Sequence, residues 1–284
     1  MRALEFIKVE GTGNDFVFLD GRSHRGPLPS ELVVRLCHRH FGVGADGVLV
    51  FLLDPDGTPR MRIYNSDGSV AEMCGNGIRC FARILRQEYG FLADPLIIQT
   101  DAGIRVCHVT SGDESWLVRV DMGGIFHEDS TPLSHRPVIE DRVSIQGSEV
   151  PFLPISVGNP HAILFGEEWF SRRETLGPIL SVHPRFPKGT NVEFARLRSD
   201  GSIELVVCER GVGFTLACGT GAQATVAAAT AVGLVSTDTP VAVDLPGGRL
   251  TITIAGDYGA STMEGPARIV FRGTYPLFHF FLED

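Results

Sequence analysis

The sequence predicts a mixed α/β (α+β) chain of two pseudo-symmetric halves, each a strand-rich layer wrapped on one central apolar helix. Two observations carry this. Landmarks in the first half return in the second at nearly constant spacing. Each half also runs from strand-like segments into an apolar helix opened by a Cys-Gly-x-Gly turn. A duplication of this kind decides the architecture before any single motif does.

The repeat is legible residue by residue. Gly13-Asn14-Asp15-Phe16 returns 145 residues on as Gly158-Asn159-Pro160-His161. Phe41 and Gly44 match Phe186 and Gly189 at the same spacing, and Asp46-Gly47-Val48 aligns with Asn191-Val192-Glu193. Glu72-Met73-Cys74-Gly75-Asn76-Gly77 then corresponds to Leu216-Ala217-Cys218-Gly219-Thr220-Gly221, 144 residues apart. The boundary falls near Met122-Gly123-Gly124, so residues 1–121 carry Cys74 and residues 122–271 carry Cys218. From there to Val150 the chain is rich in Pro, Ser and charge, which suits a linker and an edge strand.

Apolar and β-branched runs predict strands at 5–9, 16–20, 47–53 and 60–64, then at 96–99, 104–108 and 116–121. A Pro-Ser start predicts a helix over 29–40. Ile78, Phe81, Ala82 and Leu85 recur at helical spacing and predict a buried helix over 76–88. The second half offers a strand at 205–208, an Ala-rich helix at 221–232, and strands at 240–245, 249–254 and 267–271.

Composition excludes several classes. The net charge is −9 with no Lys/Arg cluster, which argues against a nucleic-acid partner. No run of 18 apolar residues exists to span a membrane, and the N-terminus lacks the apolar core of a signal peptide. The six cysteines stand singly, without a CxxC pair, and read as reduced thiols in the cytoplasm. Cys37, Cys80 and Cys107 read as small buried hydrophobes. Cys37, His38 and His40 lie close together, but helix neighbours point to different sides. The histidines read as the last turn of a helix, not as metal ligands.

Cys74 and Cys218 are different in kind. Each precedes a helix, whose N-terminus offers unpaired N–H donors and a positive dipole end. Such a place lowers a thiol's pKa and binds a carboxylate. Pseudo-twofold symmetry would set the two sulfurs facing across a cleft, with an α-carbon between them. One thiolate then takes the α-proton and the other thiol returns one to the opposite face, an inversion by general acid–base catalysis.

The segments GTGNDF, NSDGSVAEMCGNGIRCFAR, VGNPHA, GTNVEF and ERGVGFTLACGTGA, in this order, resemble the diaminopimelate epimerase family from Gly11 to about Val232. The resemblance implies two halves, each a curled, mostly antiparallel sheet around a helix, with a C-terminal strand at about 272–284 packing back on the first. It implies epimerisation of LL-2,6-diaminopimelate to the meso form in lysine and cell-wall precursor biosynthesis. It further implies that neither cofactor nor metal takes part and that the enzyme is a cytoplasmic homodimer. Cys74 and Cys218 become the acid–base pair, with His161 and Glu209 setting their protonation. Gly75, Asn76, Gly219 and Thr220 hold the α-carboxylate. Asn14, Asn65, Asn159 and Asn191 serve as amide ligands, while Glu209 and Arg210 meet the distal ammonium and carboxylate. Three positions depart from the family pattern: Gly47, Phe214 and Gln223. The alternatives are a related two-cysteine racemase of histidine, proline or hydroxyproline, a thiol-free isomerase of the same architecture, and a protein that only binds an amino acid. Glu209-Arg210 favours a substrate with a second charged centre, and the presence of both cysteines disfavours the last two.

Overall fold

The computed structural model describes residues 3–22, 26–112 and 116–277. It divides into two compact units, Met1–Val120 with Gly265–Asp284, and Asp121–Glu264.

In the first unit β1 (Ala3–Gly11) turns back as β2 (Asn14–Asp20) through Thr12 and Gly13, whose φ angles are 59° and 79°. A non-glycine residue is uncommon in that region; the buried Thr12 is held there by a 2.7 Å bond from Arg79 to its hydroxyl. The chain crosses through α1 (Ser30–Cys37) and returns as β3 (Gly47–Leu53), parallel to β2. Next come β4 (Pro59–Asn65), antiparallel to β3, and the short β5 (Val70–Ala71) beside it. After α2 (Gly75–Glu88), β6 (Leu96–Thr100) lies parallel to β4, and β7 (Gly103–Thr110) and β8 (Trp116–Asp121) continue antiparallel. The later part of β17 (Ser261–Pro276) pairs with β1, and β17 also pairs with β8. These pairings close the strands of the unit on themselves. The core is α2, in which every residue from Gly75 to Leu85 is buried.

The second unit repeats this order. The edge strand β9 (Asp141–Ile145) precedes β10 (Ser148–Ser156), which pairs antiparallel with β11 (Pro160–Phe165). The chain crosses by α3 (Glu167–Ser171) and α4 (Arg173–Ser181) to β12 (Asn191–Leu197), parallel to β11. Then follow β13 (Ile203–Glu209), β14 (Gly213–Thr215), α5 (Gly219–Ala231), β15 (Val241–Leu245) and β16 (Gly248–Ile254). Here β15 is parallel to β13, and β16 pairs with the start of β17. Met122 donates to the Ser261 carbonyl and Phe126 bridges to Ser156, so residues 122–126 close the curl. Helix α5 is buried on every side from Gly221 to Ala229, the expected place for a helix apolar all round. Its alanines let the surrounding strands approach closely.

Several details differ from the sequence reading. Helices α3 and α4 are not signalled by periodicity: α3 is only five residues long, and Gly177 and Pro178 interrupt α4. Gly177 is needed for packing: an added Cβ would stand 2.9 Å from the Phe214 ring and 3.0 Å from the Cys208 Cβ. Helix α1 ends at Cys37, so His38 and His40 lie beyond it. His38 is extended, and its Nδ1 accepts from the N–H groups of His40 and Phe41, which shapes the turn. The strand register Val48↔Tyr64 matches Val192↔Cys208, so Leu49, not Val48, is the counterpart of Glu193. The chain passes into the first unit at Gly265 and not near residue 272, because pairing with β1 already runs from Arg268. Of the return segment expected at about 272–284, residues 278–284 lie outside the described residues.

Candidate active site

In the first unit Cys74 is the N-cap of α2, and its carbonyl accepts from Ile78 to begin the helix. Its half-buried Sγ lies 3.6 Å from Asn14 Oδ1, to which the thiol donates. That oxygen also accepts from Asn76 Nδ2 at 3.3 Å, while Asn14 Nδ2 donates to Asp46 Oδ2 at 2.7 Å. The Asp46 carboxylate thus fixes the Asn14 amide, with its oxygen toward the thiol. Asn76 is buried, and its Oδ1 accepts from Arg79 Nη1 at 2.9 Å. The structure therefore brings Asn14, Cys74, Gly75 and Asn76 together. It directs the Asn65 amide elsewhere, onto Ser69 Oγ at 2.9 Å in its own turn. Gly47 has no room for a side chain, since a Cβ would meet the Tyr64 carbonyl at 2.5 Å.

In the second unit Cys218 is the N-cap of α5, and its Sγ accepts from the Gly221 N–H at 3.3 Å. Thr220 Oγ1 lies 3.5 Å away. Contrary to the sequence expectation, this thiol is not pulled toward thiolate. Burial pushes its pKa well above the ordinary value, and the nearby Glu209 carboxylate adds to this; the Thr220 hydroxyl and Gly221 N–H oppose without reversing it. Desolvation of the charged form outweighs the helix terminus. Glu209 Oε1 accepts from Thr215 Oγ1 at 2.5 Å. Arg210 has an exposed side chain, and its backbone N–H donates to Asn191 Oδ1 at 3.0 Å. Asn191 Nδ2 donates to the Pro160 carbonyl at 3.1 Å, so this amide ties the ends of β11 and β13 together. His161 joins Asn159 Oδ1 through Nε2 at 3.0 Å.

Two functional candidates escaped the sequence reading. Arg79 is fully buried and bonds Thr12, Asn76 and the Gly75 carbonyl, bracing the first turn of α2. Its only sequence signal is a charge four residues after Gly75 in an otherwise apolar stretch. Glu193 is fully buried against His161 Nδ1, with Oε1 at 2.7 Å. An acid inside an apolar strand pattern was the available signal. Gln223, a departure from the family pattern, bonds Ser261 Oγ at 2.7 Å, and Ser261 Oγ donates to the Gly123 carbonyl at 2.7 Å. It thereby holds α5 to the segment that closes the second unit. Phe214 packs against α4 at Gly177. Among the described residues no group of His, Cys, Asp or Glu side chains is arranged to hold a metal ion. No described helix is long and apolar enough to cross a membrane.

Solved structures set the fold class. A Bacillus anthracis protein of the PhzF phenazine-biosynthesis family superposes with a TM-score of 0.72 at 17% identity, covering 98% of this chain and 100% of that one. A probable proline racemase from Agrobacterium radiobacter gives 0.69 at 17% identity, covering 96% and 93%. The chain has the fold these proteins share. Within that class sequence comparison is sharper. A family model described as diaminopimelate epimerase matches residues 6–127 and 154–270. The diaminopimelate epimerase of Desulfitobacterium hafniense is 45% identical over 278 residues, 95% of this chain and 97% of that protein. That of Methanococcus maripaludis is 39% identical over 276 residues, 95% and 99%. The chain belongs to the diaminopimelate epimerase family, and it is an isomerase of the epimerase type.

Proposed function

We propose that this chain epimerises LL-2,6-diaminopimelate to the meso form by two-base α-proton transfer between Cys74 and Cys218, supplying lysine and cell-wall precursors. The observation that carries the reading is the matched placement of the two cysteines, each the N-cap of the buried helix in its own unit. The backbone N–H groups of Gly75 and Asn76, and of Gly219 and Thr220, are the donors for the α-carboxylate. Their helix termini favour the charge that grows there as the α-proton leaves. Inversion needs one thiolate and one thiol on opposite faces of the carbon. Cys218, raised by burial, keeps its proton in the resting enzyme and delivers it to one face of the α-carbon; Cys74, half-buried on Asn14 Oδ1, passes its own proton to solvent and then takes the α-proton from the opposite face.

Asn14 and Asn159 present amides beside the reacting centre, and His161 and Glu209 help set the protonation of the two thiols. The exposed Arg210 guanidinium suits a distal carboxylate, and Glu209 its ammonium. Asn65 and Asn191 contribute by shaping the loops they close. The reaction requires neither cofactor nor metal in this reading, and the enzyme acts as a cytoplasmic homodimer. Chiral chromatography of LL-diaminopimelate, histidine, proline and hydroxyproline, each incubated with reduced protein and chelator, tests the assignment. Conversion of diaminopimelate alone is the expected result. Conversion of another amino acid in its place overturns the substrate, and chelator-sensitive conversion overturns the metal-free chemistry.

A further inference from the structure

Glu193 sits within β12 with its side chain wholly buried, and the two-thiol reaction has no need of it. Oε1 lies 2.7 Å from His161 Nδ1, and Oε2 makes no hydrogen bond among the described residues. Across the ring, Nε2 lies 3.0 Å from Oδ1 of the half-buried Asn159. The position is tight: a Cβ on Gly221 would stand 3.0 Å from Glu193 Oε1 and 3.2 Å from Cys218 Sγ. In the first unit the matching Gly77 faces Leu49, at 3.1 Å. The fold therefore does without a carboxyl at this place once, and burying one is costly unless its polar atoms are engaged.

Hydrogen-bond bookkeeping fixes where the proton lies. An amide oxygen only accepts, so with Asn159 Oδ1 turned to the ring, Nε2 carries the hydrogen. A neutral ring then offers its lone pair at Nδ1, and Glu193 donates its acid proton there. An ionised Glu193 would leave Oε2 buried, charged and unbonded. Burial raises the Glu193 pKa and the Glu209 charge adds to it; His161 and the Ala162 N–H act against it. Thr220, Glu209 and Cys218 are the other polar or titratable groups near this cluster.

We propose that Glu193 is a positioning residue: its acid proton, acting through His161, locks the Asn159 amide with the NH2 donors turned toward the anionic end of the bound substrate. This rests on the role given to Asn159 above. The arrangement belongs to the second unit alone, since Leu49 and Phe16 occupy the matching places in the first.

Two variants and two readouts test it. Glu193→Gln keeps a donor for Nδ1, because its amide NH2 replaces the acid O–H. Glu193→Leu, the residue of the matching position, removes it. The expected KM for LL-diaminopimelate stays within about twofold of wild type in Glu193→Gln and rises about tenfold in Glu193→Leu, with kcat changing less. Nitrogen-15 NMR of the histidine rings in ligand-free protein at pH 7 should give the Nε2–H tautomer for His161 in wild type and Glu193→Gln, and a tautomer mixture in Glu193→Leu. The proposal is overturned by an Nδ1–H tautomer or an imidazolium in wild type. It is equally overturned if Glu193→Gln is as impaired as Glu193→Leu, or if Glu193→Leu leaves KM unchanged. The ring spectra need no substrate, so they separate failure of this relay from failure of the substrate assignment.

Discussion

A thiol at the start of a helix is ordinarily drawn toward thiolate, yet Cys218 is held the other way by its own seclusion. The two cysteines of the repeat therefore do not share one chemistry. Cys74 is half-buried and donates to an amide oxygen, whereas Cys218 is 6% exposed and accepts from a backbone N–H. Other buried thiols are held up in the same way: burial pushes Cys37 up to about 11 and Cys80 up to about 12. Alkylation follows the thiolate, so its rate reports these differences. With limiting iodoacetamide near pH 8, peptide mapping should find Cys74 modified before Cys37, Cys80 and Cys218. Because the Cys218 pKa lies above its ordinary value, its thiolate is scarce at neutral pH, and modification should climb as pH rises toward that value. Cys218 reacting at pH 7 as fast as a free peptide thiol would contradict the assignment of its proton.

Elements explain which parts of this were legible. The buried helices α2 and α5 were readable because Cys-Gly-x-Gly opens each and their apolar content is dense. Strands β3 and β8 were legible from their apolar and β-branched runs. Helix α4 was not, because its glycine is selected by a neighbour distant in sequence, the Phe214 ring on β14. Gly177→Ala tests that explanation. The added methyl improves helix propensity, by up to about 1 kcal/mol, but must displace Phe214 and Cys208. We expect a net loss of about 1–3 kcal/mol, as overpacking of this kind costs, read as a lower urea midpoint. A stabilised variant would show that the contact is slack. The site divides in the same way. Asn14 and Cys74 were legible from motif spacing. The buried acid Glu193 was not, since its partner His161 reaches it only when β11 and β12 pair in parallel.

At the scale of the whole molecule the duplication sets what each unit supplies. The strand order of one unit returns in the other, including the parallel pair across the first crossover and the helix after the Cys turn. The sequence of β17 joins both units in one strand, its first residues pairing with β16 and its later ones with β1. Each unit provides one thiol and one helix terminus, so a single unit holds half of the proposed acid–base pair. Inversion in a two-base mechanism needs both halves, and this makes the cysteines separable by experiment. The most direct measurement is proton NMR of LL-diaminopimelate in D2O with reduced wild-type protein, Cys74→Ala and Cys218→Ala, each verified as folded. The account predicts loss of the α-proton signal with formation of the meso isomer in wild type, and no inversion in either variant. Meso product formed at the wild-type rate by either variant would contradict it.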